Sequence, residues 1–179
     1  RSPPRNRRAL ALRGPEGASY NDGTTFLDCT DGGSTGNGQV FGLDLKRQKL
    51  QLVYDSPHFD DLDNPDNLTV TPRGGLLFCE DGAGNGDHLH LGESTERLVG
   101  LTKNGQIFTF ANNLIDFRAA SAGGIGSFTR PSGTTFSSNC RSQEWAGATF
   151  SRDGDWLFVN IQTPGVTFAI TGPWDRGPL

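Results

Sequence analysis

The sequence predicts an all-β chain, a partial β-propeller of about three four-stranded blades. Three observations lead there. A unit running from Asp63-Asn64-Pro65-Asp66-Asn67-Leu68 to Phe78-Cys79-Glu80-Asp81 recurs on both sides. The first two copies align without a gap, with Glu16 and Asp66, Cys29 and Cys79, and Asp31 and Asp81 each 50 residues apart. A period of about 40–50 residues is typical of propeller blades. Finally, no segment shows sustained helical periodicity.

Within each unit the elements follow one order. A short apolar run, Leu68 to Val70, is followed by the turn Pro72-Arg73-Gly74-Gly75 and a second run, Leu76 to Cys79. Runs bounded by Gly and Pro read as paired strands. A hairpin comes next: Gln39 to Leu45 with Leu50 to Tyr54 in the first unit, and Leu98 to Thr102 with Gln106 to Phe110 in the second. The second hairpin turns at Lys103-Asn104-Gly105, and Asn-Gly between apolar strands is a strong hairpin signal. Two strands plus a hairpin make one antiparallel blade. The third copy aligns at an offset of 80, placing Phe150 on Val70, Gly154 on Gly74 and Leu157 on Leu77. The extra length is a Ser-, Gly-, Ala- and Thr-rich insertion over 112–143, expected to be an extended surface loop. A β-sandwich is the alternative, but sandwiches do not require internal repeats.

The blades are expected to span 14–174, between a basic, Pro-containing tail (1–13) and a short C-terminal tail (175–179). The chain begins at Arg1 and contains no methionine, so it reads as processed or partial. Closed propellers have about 4–8 blades, and an open set leaves unpaired edges. Further blades upstream on the same protein are therefore expected.

Composition narrows the partners. The formal net charge is −4, and no basic stripe interleaves with aromatics, so no nucleic-acid partner is expected. No apolar run is long enough to span a bilayer, so no membrane partner is expected. Cys29 and Cys79 read as small buried apolar residues, and their spacing fits no zinc site. Cys140, near Glu144, offers a less favoured metal ligand.

The acids carry the chemistry. In a propeller the innermost strands line a central channel, so Glu16 and Asp66 should fall on one ring. Asp31 and Asp81 form a second matched pair, and Glu80 precedes Asp81. In the third unit the position of Asp66 is held by Ala146. Glu144 lies two residues earlier, on the same strand face. Converging carboxylates repel, and a bound cation offsets that. Hard oxygen ligands suit calcium; iron also takes carboxylates, usually with His or Cys. Asn67 and Asn160 could add amide oxygens. The competing reading is that Asp and Asn here are ordinary turn formers. Asp60-Asp61-Leu62-Asp63 is expected to be a solvated loop. His88-Leu89-His90 puts two imidazoles on one strand face, but its Gly-rich surroundings favour an exposed loop. The Gly-rich stretches after Asp31 and Asp81 lack the Lys and helix of a phosphate loop.

Asp63-Asn64-Pro65-Asp66-Asn67-Leu68, Cys79-Glu80-Asp81-Gly82, Arg97 to Thr102, Glu144 to Phe150 and the ending Leu157 to Trp174 resemble the PhoX-type alkaline phosphatase family, in its C-terminal part. The resemblance implies a six-bladed propeller with an iron–calcium cluster in its channel. It implies hydrolysis of a phosphate monoester substrate in a periplasmic or extracellular location. The family's acidic ligands match Glu16, Asp66, Asp81 and Glu144, with Glu80 a weaker neighbour. The phosphate-contacting arginine and iron-ligating cysteine belong to earlier blades, so this chain is expected to carry part of the metal site. Two other readings stand beside it: a calcium-pinned propeller that binds a partner without catalysis, and a lactonase-like propeller hydrolase.

Overall fold

A computed structural model describes residues 11–82 and 86–179. The described residues form thirteen strands and one short 3-10 turn at 120–122. Three sheets follow the repeat. The first is β1 (Pro15–Asn21), β2 (Thr24–Cys29), β3 (Gln39–Asp44) and β4 (Lys49–Asp55), paired in chain order. The second is β5 (Pro65–Val70), β6 (Leu76–Glu80), β7 (Arg97–Leu101) and β8 (Ile107–Asn112). After the two-residue strands β9 (Phe128–Thr129) and β10 (Thr135–Phe136), the third sheet has β11 (Trp145–Phe150), β12 (Trp156–Ile161) and β13 (Val166–Thr171). All pairing is antiparallel. The third blade thus has three strands where the first two have four.

The turns explain the pairing. Asp22 and Gly23 both hold positive φ, which a two-residue hairpin matching strand twist requires. Gly74 (φ +80°) and Gly154 (φ +80°) close equivalent turns, their N–H groups donating to Thr71 O at 2.8 Å and Ser151 O at 2.9 Å. The residues between the paired ends run 71–75 in the second blade and 151–156 in the third. That one extra residue shifts the third blade's register, so the sequence offset of 80 holds at the turn but not across the strand pair.

The first strands of the three sheets lie side by side, with β5 between β1 and β11. Ser19 Oγ accepts the Val70 N–H at 3.3 Å, joining β1 to β5. Asn67 Oδ1 accepts the Gly147 N–H at 2.8 Å, joining β5 to β11. This is the hub arrangement of propeller blades.

Two apolar layers fill the spaces between sheets. Val40, Leu68, Leu76, Phe78, Val99 and Leu101 pack between the first and second. Leu77, Cys79, Leu98, Leu157, Val159 and Ile161 pack between the second and third. Alternate side chains of β6 therefore face opposite layers, and every residue of β6 and β7 is buried. The flanking sheets are covered on one face only. Leu50 and Leu52 remain exposed on the first, Trp156 and Phe158 on the third.

Three loop expectations change. The 112–143 stretch is more than a surface loop: Asn113, Asp116, Phe117 and Cys140 are buried within it. Its aromatics supply the reason, since Phe117 stacks on Phe128 and Phe128 on Phe136. Arg118 closes on Asp116 at 2.6 Å and holds its carboxyl down to about 2. Leu62 and Asp63 are buried, so the acidic run at 60–63 is solvated only in its first half. His88-Leu89-His90 forms a turn, not a strand, and the His88 side chain is only 6% exposed.

Candidate metal-binding hub

Each inner strand carries a bulge at the acidic end. In β1 the register breaks between Pro15 and Ala18, setting Glu16 and Gly17 opposite Asp28. In β5 it breaks around Asp66, and in β11 around Gly147 and Ala148. Bulges re-aim side chains and recur beside active sites. Here Glu16 and Asp66 both occupy bulged positions.

The third blade has Gly147-Ala148 at its bulge, so its acid comes from Glu144, just before β11. Glu144 stays in the ladder through its carbonyl, which accepts the Gln162 N–H at 3.0 Å. Antiparallel pairing returns the end of β6 to the start of β5, and the Asp81 N–H donates to Asn64 O at 3.0 Å. Asp81 is thereby brought to the same end as Asp66.

The electrostatics show which acids face one another. Burial pushes the Glu144 carboxyl up to about 7, with the charges of Asp81 and Asp66 adding to it. Glu144 also shares a hydrogen bond with Asp66 when one of the two is protonated. Asp81 is raised by burial and by Asp66. Two carboxylates in one site cannot both ionise freely, so one holds its proton unless a cation intervenes.

Asp28 belongs to this set and was missed in the sequence. Its side chain is fully buried, and burial pushes its carboxyl up to about 7, against the Gly17 hydrogen bond and helped by Asp66 and Glu16. Its Oδ1 accepts the Gly17 N–H at 2.5 Å, while Oδ2 has no hydrogen-bond partner. Asp28 sits inside the apolar-looking run Phe26-Leu27-Asp28-Cys29. The available signal was a lone acid inside a strand that pairs with the acid-bearing one.

Glu80 is directed elsewhere. Its carboxylate accepts two bonds from Arg97, Nε to Oε2 and Nη2 to Oε1, both 2.7 Å, and the Asp63 N–H at 2.8 Å. Arg97 also donates to the carbonyls of Asp60 (2.7 Å) and Phe59 (2.9 Å), so the pair clamps the loop that leads into β5. Burial still pushes Glu80 up to about 7, with Arg97 pulling the other way. Its oxygens are engaged by this clamp, which accounts for them without a metal.

The amides of Asn67 and Asn160 are engaged too. Asn67 bonds to Gly147, and Asn160 accepts from Thr167 Oγ1 at 2.7 Å and donates to Ala146 O at 3.1 Å. Cys79 is buried behind the acids, and its thiol is pushed up to about 12 by burial. The Cys140 thiol donates to Ser138 O at 3.8 Å and is pushed up by burial, with the charge of Asp116 adding to it.

The donor chemistry is therefore hard oxygen: Glu16, Asp66, Asp81 and Glu144, with Asp28 beneath. Among the described residues, no three His, Cys, Asp or Glu side chains close into a group able to hold a metal ion by themselves. The acids gather instead as an acidic wall at one end of the inner strands. An acidic wall with raised carboxyls and an unpartnered buried oxygen favours a cation as its occupant.

A search of curated proteins found no match. The family model described as alkaline phosphatase PhoX matches residues 13–165, covering all three sheets up to the turn before β13. With that match over most of its length and acids collected at the hub of three blades, the chain belongs to the alkaline phosphatase PhoX family.

Proposed function

We propose that this chain forms part of the channel of a metal-dependent phosphomonoester hydrolase acting outside the cytoplasm. The observation that carries the reading is the opposition of Glu144 to Asp66 and Asp81 at the meeting point of three inner strands. Glu16, Asp66, Asp81 and Glu144 would hold the cations. These oxygens suit calcium. For iron this chain offers carboxylates alone, since Cys79 is a buried thiol and the histidines lie near Asp60. When bound, such ions would draw charge from the phosphate oxygens and favour attack at phosphorus. The residues of this chain position and charge that surface. Asp28, held by Gly17, supports it from below.

The exposed faces support further blades as neighbours. Leu27, Phe41 and Leu52 are opposite one another across β2, β3 and β4 and so share a face, on which Leu52 is exposed. Trp156 and Phe158 stand on the far face of the third sheet. An apolar sheet face is stable when another layer covers it.

The test is turnover of a chromogenic phosphate monoester by the complete protein, with and without chelator. Chelator-sensitive phosphatase activity is expected. Turnover indifferent to chelator, or hydrolysis of lactones in place of phosphate esters, would overturn the reading.

A further inference from the structure

The apolar layer between the second and third sheets continues past their outer strands into a cavity that none of Glu16, Asp66, Asp81 or Glu144 lines. Phe108 and Phe110 of β8 line one side, and Ile170 of β13 lines the other. The two phenylalanines are two residues apart in a strand and so share a face. The segment 172–179 arches over the gap and supplies Trp174, Pro178 and Leu179. The cavity holds about 370 Å³, within the size range of small-molecule sites.

The arch is fixed along its length. Arg73 Nη1 donates to Asp175 O at 2.9 Å and to Gly177 O at 2.6 Å. The Trp174 ring stacks on Phe110, with centroids 6.1 Å apart, and meets Phe150 edge-on at 5.2 Å. Leu179 is buried in the layer itself. Gly100 leaves the room for this: a Cβ there would come within 2.5 Å of Phe108 Cζ and 3.0 Å of Leu179 Cδ2.

Two observations indicate what occupies the cavity. The Trp174 N–H and the Thr171 hydroxyl both donate to Asp155 O, at 2.9 and 3.1 Å, so the walls present aromatic and aliphatic surface with few free polar groups. Water needs about two to four polar partners to settle in such a space, and an apolar molecule needs none. Arg176 is the one charged side chain in the lining; it is exposed and makes no ion pair among the described residues. Asp175 lies on the other side of the arch, lining a groove with Arg73.

We propose that this cavity binds a small amphiphile, an apolar chain or ring with an anionic head. The apolar part lies against Phe108, Phe110 and Trp174, and the head meets Arg176. A concave wall removes ligand surface from water on several sides at once, which the open sheet faces carrying Leu52 and Trp156 do not.

The test is calorimetric titration of the full chain with octanoate and with octylammonium, below the concentrations at which either self-associates. One octanoate per chain is expected, bound more tightly than octylammonium. Arg176→Gln, at an exposed position, should weaken octanoate binding about two- to fivefold. Leu52→Ser and Trp156→Ser should leave it unchanged. A bromine-bearing octanoate should quench tryptophan fluorescence in the parent and much less in Trp174→Phe, with circular dichroism confirming that each variant is folded. No uptake of octanoate, equal binding of octylammonium, parent-like affinity in Arg176→Gln, or loss of binding in Leu52→Ser or Trp156→Ser would overturn the proposal.

Discussion

Gly17 stands across a bulge from Asp28, and the two fit because Gly17 has no side chain. Its N–H donates to Asp28 Oδ1 at 2.5 Å, and a Cβ on Gly17 would come within 2.5 Å of Asp28 Oδ2. Gly17→Ala should therefore push the buried carboxylate out of place. The expected cost is about 1–3 kcal/mol, the range for overpacking, read as a lower urea midpoint. Metal affinity at the hub should fall in the same variant.

The raised carboxyls set a pH dependence. Asp28, Glu80 and Glu144 each sit near 7 when folded, above the ordinary carboxyl values of 3.8 or 4.5. Between those values and about 7 the folded chain binds more protons than the unfolded chain. Stability of the metal-free protein should therefore fall as pH rises through this window and level off above it. Thermal melts from pH 4 to 8 check the slope. Saturating calcium should raise the melting temperature most at the upper end, where the acids are ionised. A metal-free melting temperature that rises across the window would contradict the placement of Asp28 and Glu144.

The clamp between Glu80 and Arg97 should show the asymmetry of buried ion pairs. Arg97→Leu alone leaves a buried carboxylate unpaired and should cost about 3–5 kcal/mol. The double variant Glu80→Leu with Arg97→Leu should recover part of that loss. Urea denaturation of the single and double variants measures the difference. Calcium affinity of the folded double variant should remain near that of the parent, because these oxygens serve the loop.

Asp66 and Asp61 provide a contrast five residues apart. Asp66 acts on Asp28, Asp81 and Glu144, whereas Asp61 acts on Tyr54. Asp66→Ala should lower calcium affinity and phosphatase activity together. Asp61→Ala should change neither. Parallel assays of the two variants decide whether the channel lies where these acids meet.

The uncovered sheet faces predict how this chain behaves alone. Leu52→Ser and Trp156→Ser remove exposed apolar surface, so each should change folding stability by no more than about 0.5 kcal/mol. Both should reduce self-association, read by light scattering at rising concentration. Strong destabilisation instead would mean that these faces are packed in the chain.

The repeat was legible because it is written in turns and alternating apolar residues. Gly74 and Gly154 close matching turns, and Leu76 to Cys79 read directly as a buried strand. The meeting of Asp66 with Glu144 was legible from strand periodicity, since two residues return to the same face. Asp28 was hidden because its role depends on a bulge in the neighbouring strand, and a bulge adds a residue without marking which one. Glu80 looked like another channel acid because its partner Arg97 lies 17 residues away, across a turn-rich insertion. His58 and His88 are 30 residues apart, and only the folded loop brings both to Asp60.

Burial on both sides of β6 and β7 has a further consequence for reading the repeat. Leu27 and Leu77 hold the same place in their units, yet Leu27 is half-buried and Leu77 is fully enclosed. The centre sheet acts as a keel, and the outer two lean on it from either side. Tolerance to substitution at one repeat position is therefore no guide to tolerance at its twin.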